Sequence, residues 1–382
     1  MTASASSSPA GPVPASAVVI GTGLIGTSVA LALRASGMDV WLADRDEDAL
    51  ALAVGLGAGR RLPPAGLTSG PAEVAVLAVP PAAVAEQLRA AQSRGLARCY
   101  TDVASVKELP LARARELGCD LASYVPGHPL SGRERSGPAA ARADLFTGRP
   151  WVICPQSANA PADIALVTRL AVACGAQPVS VPAADHDRWV ALVSHAPHAV
   201  AAAMGARLEN APASALALAG QGLRDVTRVA AGSPGMWVQI LAANAGPVGA
   251  VLRDVAADLA SVADALDSLA AGDEQGAKQV ADLLERASVG VGRIPGKHGG
   301  PTTGFAPVQV VIPDRPGELA RLFQAAGAAG VNIEDITIEH SPGLPAGVAE
   351  LWVRPEAGSV LADALAAGGW PVSVRAAGTI AS

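Results

Sequence analysis

Aromatic side chains are nearly missing from this chain of 382 residues: 3 Phe, 2 Tyr and 6 Trp, about 3% of the total. Any core must therefore be built from Ala, Val and Leu, and with half of all residues hydrophobic there is material for two or three packed units, rich in helix. Cysteine is equally sparse. Cys99, Cys119, Cys154 and Cys174 are widely spaced and form no C-x-x-C pair or Cys/His cluster, which argues against a disulfide framework and against zinc. They read as buried thiols, and no metal is expected. Lysine occurs only three times, no Lys/Arg-rich block exists, and the net charge is −6, so a nucleic-acid partner is not expected. No apolar run reaches membrane-spanning length. The start, MTASASSSPAGPVPAS, has neither a basic beginning nor an apolar stretch, so residues 1–16 read as a disordered tail and not a signal peptide. The expectation is a cytoplasmic protein with no membrane partner.

What is present alternates. SAVVI predicts a short buried strand, GTGLIGTS a turn, VALALRASG a helix closed by Gly37, and DVWLAD a second strand. EVAVLAVPP and CYTDVAS continue the series, which implies a parallel sheet with right-handed crossovers over residues 17–184. From about Ala183 long Ala/Leu/Val stretches at helical spacing predict an all-α domain over 185–290. Helices so apolar cannot all cover one another, so a homodimer through them is expected, a monomer packing them on the first domain being the alternative. Residues 291–305 read as a Gly/Pro-rich linker, and 306–382 as strand, helix, strand, strand, helix, strand: a small α+β unit of ferredoxin-like order.

Gly21-Thr22-Gly23-Leu24-Ile25-Gly26 follows a predicted strand and opens a predicted helix, the context that a dinucleotide fingerprint requires. Gly21 suits the tight turn, Gly23 the approach of the pyrophosphate, and Gly26 the contact of helix with strand. Asp44, at the end of the second strand, is placed to accept from ribose hydroxyls and to repel a 2′-phosphate, which favours NAD. Arg45 beside it is the kind of residue that serves NADP, so that choice stays open at this point.

Three further stretches, TDVASVKE at 101–108, GHPLSGRERSG at 127–137 and DHDRWVALVSHAPH at 185–198, together with GLRDVTRVA at 222–230, resemble the prephenate/arogenate dehydrogenase family in order and spacing. The resemblance implies an α/β Rossmann-type nucleotide domain and an all-α dimerisation domain. The activity it implies is NAD-dependent oxidative decarboxylation of prephenate to 4-hydroxyphenylpyruvate in tyrosine biosynthesis. That chemistry needs one base for the 4-hydroxyl proton, and donors or cations for two carboxylates. By resemblance His128 is the base and Ser105 its hydroxyl-binding neighbour. His195 or His198 faces the substrate, Arg224 pairs with a carboxylate, and Glu134, in the stretch with Arg133, gates the pocket. Lys107 reads equally as a positioning residue or as solvated surface charge.

At the C-terminus DRPGELARLFQAAGAAGVNIEDI resembles the ACT family of amino-acid-sensing domains, through Asp314, Pro316 and Gly317 and through a turn containing Asn332 and Ile333. A tyrosine effector at these residues is the implied partner, a purely structural pairing module the bland alternative. Arogenate instead of prephenate remains open as substrate. A 3-hydroxy acid dehydrogenase would place a lysine on the helical domain, and residues 186–260 contain none. From another class, an NAD-bound amino-acid sensor without catalysis also accommodates these motifs.

Overall fold

The computed structural model describes residues 14–131, 136–294, 305–340 and 345–374. Contacts group the chain into two compact units, Met1–Val255 and Ala256–Ser382. In the first, β1 (Ser16–Ile20), β2 (Asp39–Ala43), β3 (Arg60–Arg61), β4 (Ala72–Leu77) and β5 (Ala97–Asp102) form a parallel sheet in the order β3-β2-β1-β4-β5. The apolar run of β1 follows from two-sided burial. Ala17 and Val19 enter a core with the helices Leu24–Ala35, Glu47–Gly55 and Pro161–Ala173, while Val18 and Ile20 enter one with Val84–Ser93 and Glu108–Glu116. The carboxyl ends of these strands share one edge, and the order reverses between β1 and β4, where open α/β sheets bind ligands. Ser16 already belongs to β1, so the expected tail is shorter than 1–16.

A second sheet was not anticipated. β6 (Gly127–Pro129), β7 (Pro150–Ile153) and β8 (Gln177–Ser180) join in the order β6-β7-β8, antiparallel then parallel, and a bridge from Tyr100 to Tyr124 links the chain leading into β6 to β5. Strands of three or four residues, each containing Pro, are too short to display a period. Buried Trp151, at 0% exposure, fills the space between the two sheets with Phe146.

Next comes helix Ala183–Val190, then a π-helical turn over Ala191–His195, then helix Ala196–Ala206. Gln221–Thr227, Pro234–Ala243 and Ala245–Ala270 come after it. Helices up to residue 255 group with the nucleotide domain, and buried polar groups around Asp187 bind them to it.

In the second unit Gly276 of helix Gln275–Gly292 lies so close to its neighbour that a Cβ there would meet the Ala265 carbonyl at 2.3 Å. This helix runs two residues into the expected linker, whose residues 295–304 lie outside the described ones. β9 (Ala306–Pro313), β10 (Asp335–His340), β11 (Ala346–Val353) and β12 (Val372–Val374) form an antiparallel sheet in the order β10-β11-β9-β12. Helices Glu318–Ala328 and Gly358–Ala367 supply Leu322, Leu361 and Leu365 to its core.

Candidate active site

At the end of β1 the chain turns at Gly21 with φ of +103°, where an added Cβ would lie 2.2 Å from the Ala78 carbonyl. A Cβ on Gly26 would meet the Gly21 carbonyl at 1.9 Å. Gly23 differs: nothing stands within 4 Å of its would-be Cβ, so it borders open space at the N-terminus of helix Leu24–Ala35. Two glycines are thus required by packing and one leaves room for a pyrophosphate beside free amides, which is how a dinucleotide cradle must be built. Asp44 accepts from the Thr22 amide, from the Thr22 hydroxyl at 2.9 Å and from the Asp46 amide at 2.9 Å. Burial raises this carboxyl, but those hydrogen bonds outweigh it and hold it below its usual value. Arg45 lines a cavity of about 400 Å³ with Pro80, Ala82, Ala83, Glu86 and Gln239. The chain's own residues therefore fit NAD.

Gly23→Ala is expected to melt like the native protein and to weaken NAD binding by roughly tenfold or more, about 1.4 kcal/mol. Gly26→Ala is expected to lose stability instead. Thermal melts beside an NAD titration separate the two, and native affinity in Gly23→Ala would refute the cradle.

Beyond β5 the loop to helix Glu108–Glu116 carries Ser105, half-buried, and Lys107. Lys107 is wholly buried, which corrects the surface-charge reading: its Nζ pairs with Asp102 Oδ1 and donates to the Gly127 carbonyl. Asp102 also accepts from the Ala104 amide at 2.8 Å and the Tyr124 hydroxyl at 2.6 Å. Burial, and then the Asp102 carboxylate, push the Tyr124 hydroxyl well above its ordinary value. Sequence could not show this because the partners meet only when β5, the loop and β6 assemble. The effect is to tie the Ser105 loop to the strand of His128.

His128 Nδ1 lies 2.8 Å from His186 Nε2, and His186 Nδ1 lies 2.7 Å from Asp187 Oδ1. Asp187 in turn accepts the amides of Lys107 at 2.8 Å and Glu108 at 2.9 Å, capping helix Glu108–Glu116 from a different element. Desolvation, and then His186, Lys107 and His195, hold the half-buried His128 well below its usual 6.5. His186 and Asp187 stand inside the DHDRWVALVSHAPH motif, yet the sequence reading did not single them out. Adjacent His and Asp ahead of an apolar helix were the available signal.

His195 and His198 part company. Asn244 Nδ2 donates to the Asp187 carbonyl at 2.8 Å and lies 3.1 Å from His195 Nδ1, so it joins His195 to the same network. Burial pushes His195 down to about 4, against the opposing pull of Asp187. His198 instead stacks on Trp237, ring centroids 3.5 Å apart and planes 10° off parallel. Arg224, on helix Gln221–Thr227, is exposed and has no ion-pair partner among the described residues. Glu134 and Arg133 lie outside the described residues. Burial pushes the Cys99 and Cys154 thiols to about 12 and Cys174 higher still, whereas Cys119 is only half-buried, against expectation.

Residues 29–180 match the family model described as prephenate dehydrogenase, nucleotide-binding domain, and residues 182–280 its dimerization domain, more than half of the chain between them. The chain belongs to the prephenate dehydrogenase family. Within prephenate dehydrogenases it is 42% identical over 362 residues to the probable prephenate dehydrogenase NovF of Streptomyces niveus, spanning 94% of this chain and 99% of that protein. Among solved structures, a putative prephenate dehydrogenase of Corynebacterium glutamicum is 26% identical, with TM-score 0.64 over 74% of this chain and 91% of that one. Synechocystis arogenate dehydrogenase is 25% identical, with TM-score 0.57 over 71% of this chain and 99% of the other. This prephenate dehydrogenase relative is an oxidoreductase with a nucleotide-binding domain.

Proposed function

We propose that the enzyme converts prephenate to 4-hydroxyphenylpyruvate with loss of carbon dioxide, on the route to tyrosine. The observation that carries this is His128: an imidazole kept neutral by its surroundings, backed by His186, on the strand that Lys107 ties to the Ser105 loop. Bound NAD supplies the hydride acceptor. His128 takes the 4-hydroxyl proton as hydride leaves C4, and Ser105 holds that hydroxyl. The C–C bond to the ring carboxylate then breaks, its electron pair passes through the ring to oxygen, and His128 returns the proton to give the phenol. Arg224 offers a guanidinium fork to a substrate carboxylate, and His195, neutral, offers a hydrogen bond without a charge.

Arogenate, whose side chain carries an amine in place of the keto group, is the second reading, favoured by the likeness to Synechocystis arogenate dehydrogenase. NADH formation with each substrate decides: prephenate is expected to give the larger kcat/KM, and a protein that reduces NAD with neither would overturn the proposal.

A homodimer also follows from this reading. Leu218 at 85% exposure and Val238 at 65% leave apolar surface that a second copy would cover, in the region matched by the family's dimerization domain. For the C-terminal unit the reading is a ferredoxin-like ACT domain that binds tyrosine. Its support is a cavity of about 390 Å³ lined by Phe323, Asn332, Ile333 and Ile336 among others, and the left-handed Gly317 that opens helix Glu318–Ala328 after Asp314 and Pro316. Tyrosine added to the same assay is expected to inhibit, and full activity at saturating tyrosine would leave the unit a structural module.

A further inference from the structure

The line from His128 through His186 to Asp187 has a direction that its hydrogen atoms alone can supply. Asp187 spends both oxygens on the Lys107 and Glu108 amides, the first free N–H groups of helix Glu108–Glu116, so it is fixed as an acceptor. His186 Nδ1, 2.7 Å from Oδ1 of that carboxylate, must carry a proton to bond it. A neutral imidazole has one proton to carry, so His186 Nε2 is a lone pair, and His128 Nδ1 at 2.8 Å must donate to it. Both members of the His186–Asp187 pair are buried, at 1% and 2% exposure.

We infer that His186 and Asp187 are positioning residues that lock His128 in the tautomer protonated on Nδ1, leaving Nε2 as the one nitrogen able to take the substrate's hydroxyl proton. The other groups facing His128 agree with a neutral ring there. Lys107, bound to Asp102, and His195, which takes the Asn244 amide on Nδ1, both disfavour a second charge here. Were His186 doubly protonated, His128 Nδ1 would have to accept and its Nε2 would already hold a proton, a form useless as a base. Once Nε2 has gained the hydroxyl proton, the imidazolium faces the Asp187 carboxylate through His186, and the same nitrogen gives the proton back to the phenolate oxygen.

The inference rests on His128 being the proposed base, and its test separates the two ideas. Nitrogen-15 NMR of histidine-labelled enzyme with NAD reads the tautomer without any turnover: His128 is expected to be neutral with Nδ1 protonated. His186→Gln, which keeps an acceptor for that proton, is expected to retain kcat within about fivefold, while His186→Leu loses roughly 100-fold in kcat at a KM within about twofold. Circular dichroism and NAD titration confirm that each variant folds. A native His128 protonated on Nε2, or Gln and Leu variants with equal kcat, would overturn the inference. An Nδ1-protonated His128 in an enzyme inert to both substrates would uphold it and sink the proposed function instead.

Discussion

Asparagine in place of His128 is expected to cut kcat by roughly 10²–10⁴-fold, the usual worth of a positioned general base, while NAD binds as before. The separation follows from construction: the dinucleotide cradle is built at Gly21–Gly26 and Asp44, and the base stands on β6 of the other sheet. Native turnover should also carry a pH signature. Protonated His128 cannot accept, and its folded value sits well below 6.5, so kcat/KM should hold steady below pH 6.5 and fall only at more acid pH. Stability moves in the same direction. An unfolded chain takes up protons on His128 and His195 below about 6.5, whereas folded His195 resists until about 4, so stability is present above 6.5 and drains away as pH falls between these values. An acid limb at pH 6.5 or higher, or an Asn variant with native kcat, would remove His128 from the role of base.

The second large effect is on folding. Lys107→Met strands the Asp102 carboxylate, at 0% exposure, with only the Tyr124 hydroxyl and the Ala104 amide for company. Removing one partner of a buried pair costs about 3–5 kcal/mol, so the melting transition of the first unit should drop by roughly ten degrees. Activity should suffer as well, because the Ser105 loop loses its attachment at Gly127. Thermal melts followed by circular dichroism check this, and a shift under about one degree would mean that the buried pair contributes little.

Features written locally in the chain were legible from it. The glycine turn and Asp44 lie within one strand-helix-strand unit, so spacing alone singled them out, and at Gly21 and Gly26 an added Cβ would meet backbone. The family motifs pointed to His128 and to His195 or His198. What escaped depends on distant partners. His186 meets His128 across 58 residues, and Asn244 meets His195 across 49, and no periodicity encodes such a meeting. Lys107 read equally as a positioning residue or a surface cation because its counter-charge, though only five residues away, is buried with it only in the folded chain. His195 and His198, three apart, should share a regular helix face, yet one joins the polar network and the other stacks on Trp237. The wide turn that ends at His195, and Trp237 arriving from helix Pro234–Ala243, were both invisible to a count at 3.6 residues per turn.

That wide turn gives the enzyme a dial set by length and not by residue identity. Ala191–His195 houses an additional residue in an otherwise continuous rod. Asp187 and His195 are eight residues apart, a separation that ordinary winding would leave about 80° out of phase, and the wide turn absorbs the difference so that both meet Asn244. The same residues wound as regular α-helix would turn His195 away from Asn244 and out of the Asp187 network, while every side chain kept its chemistry.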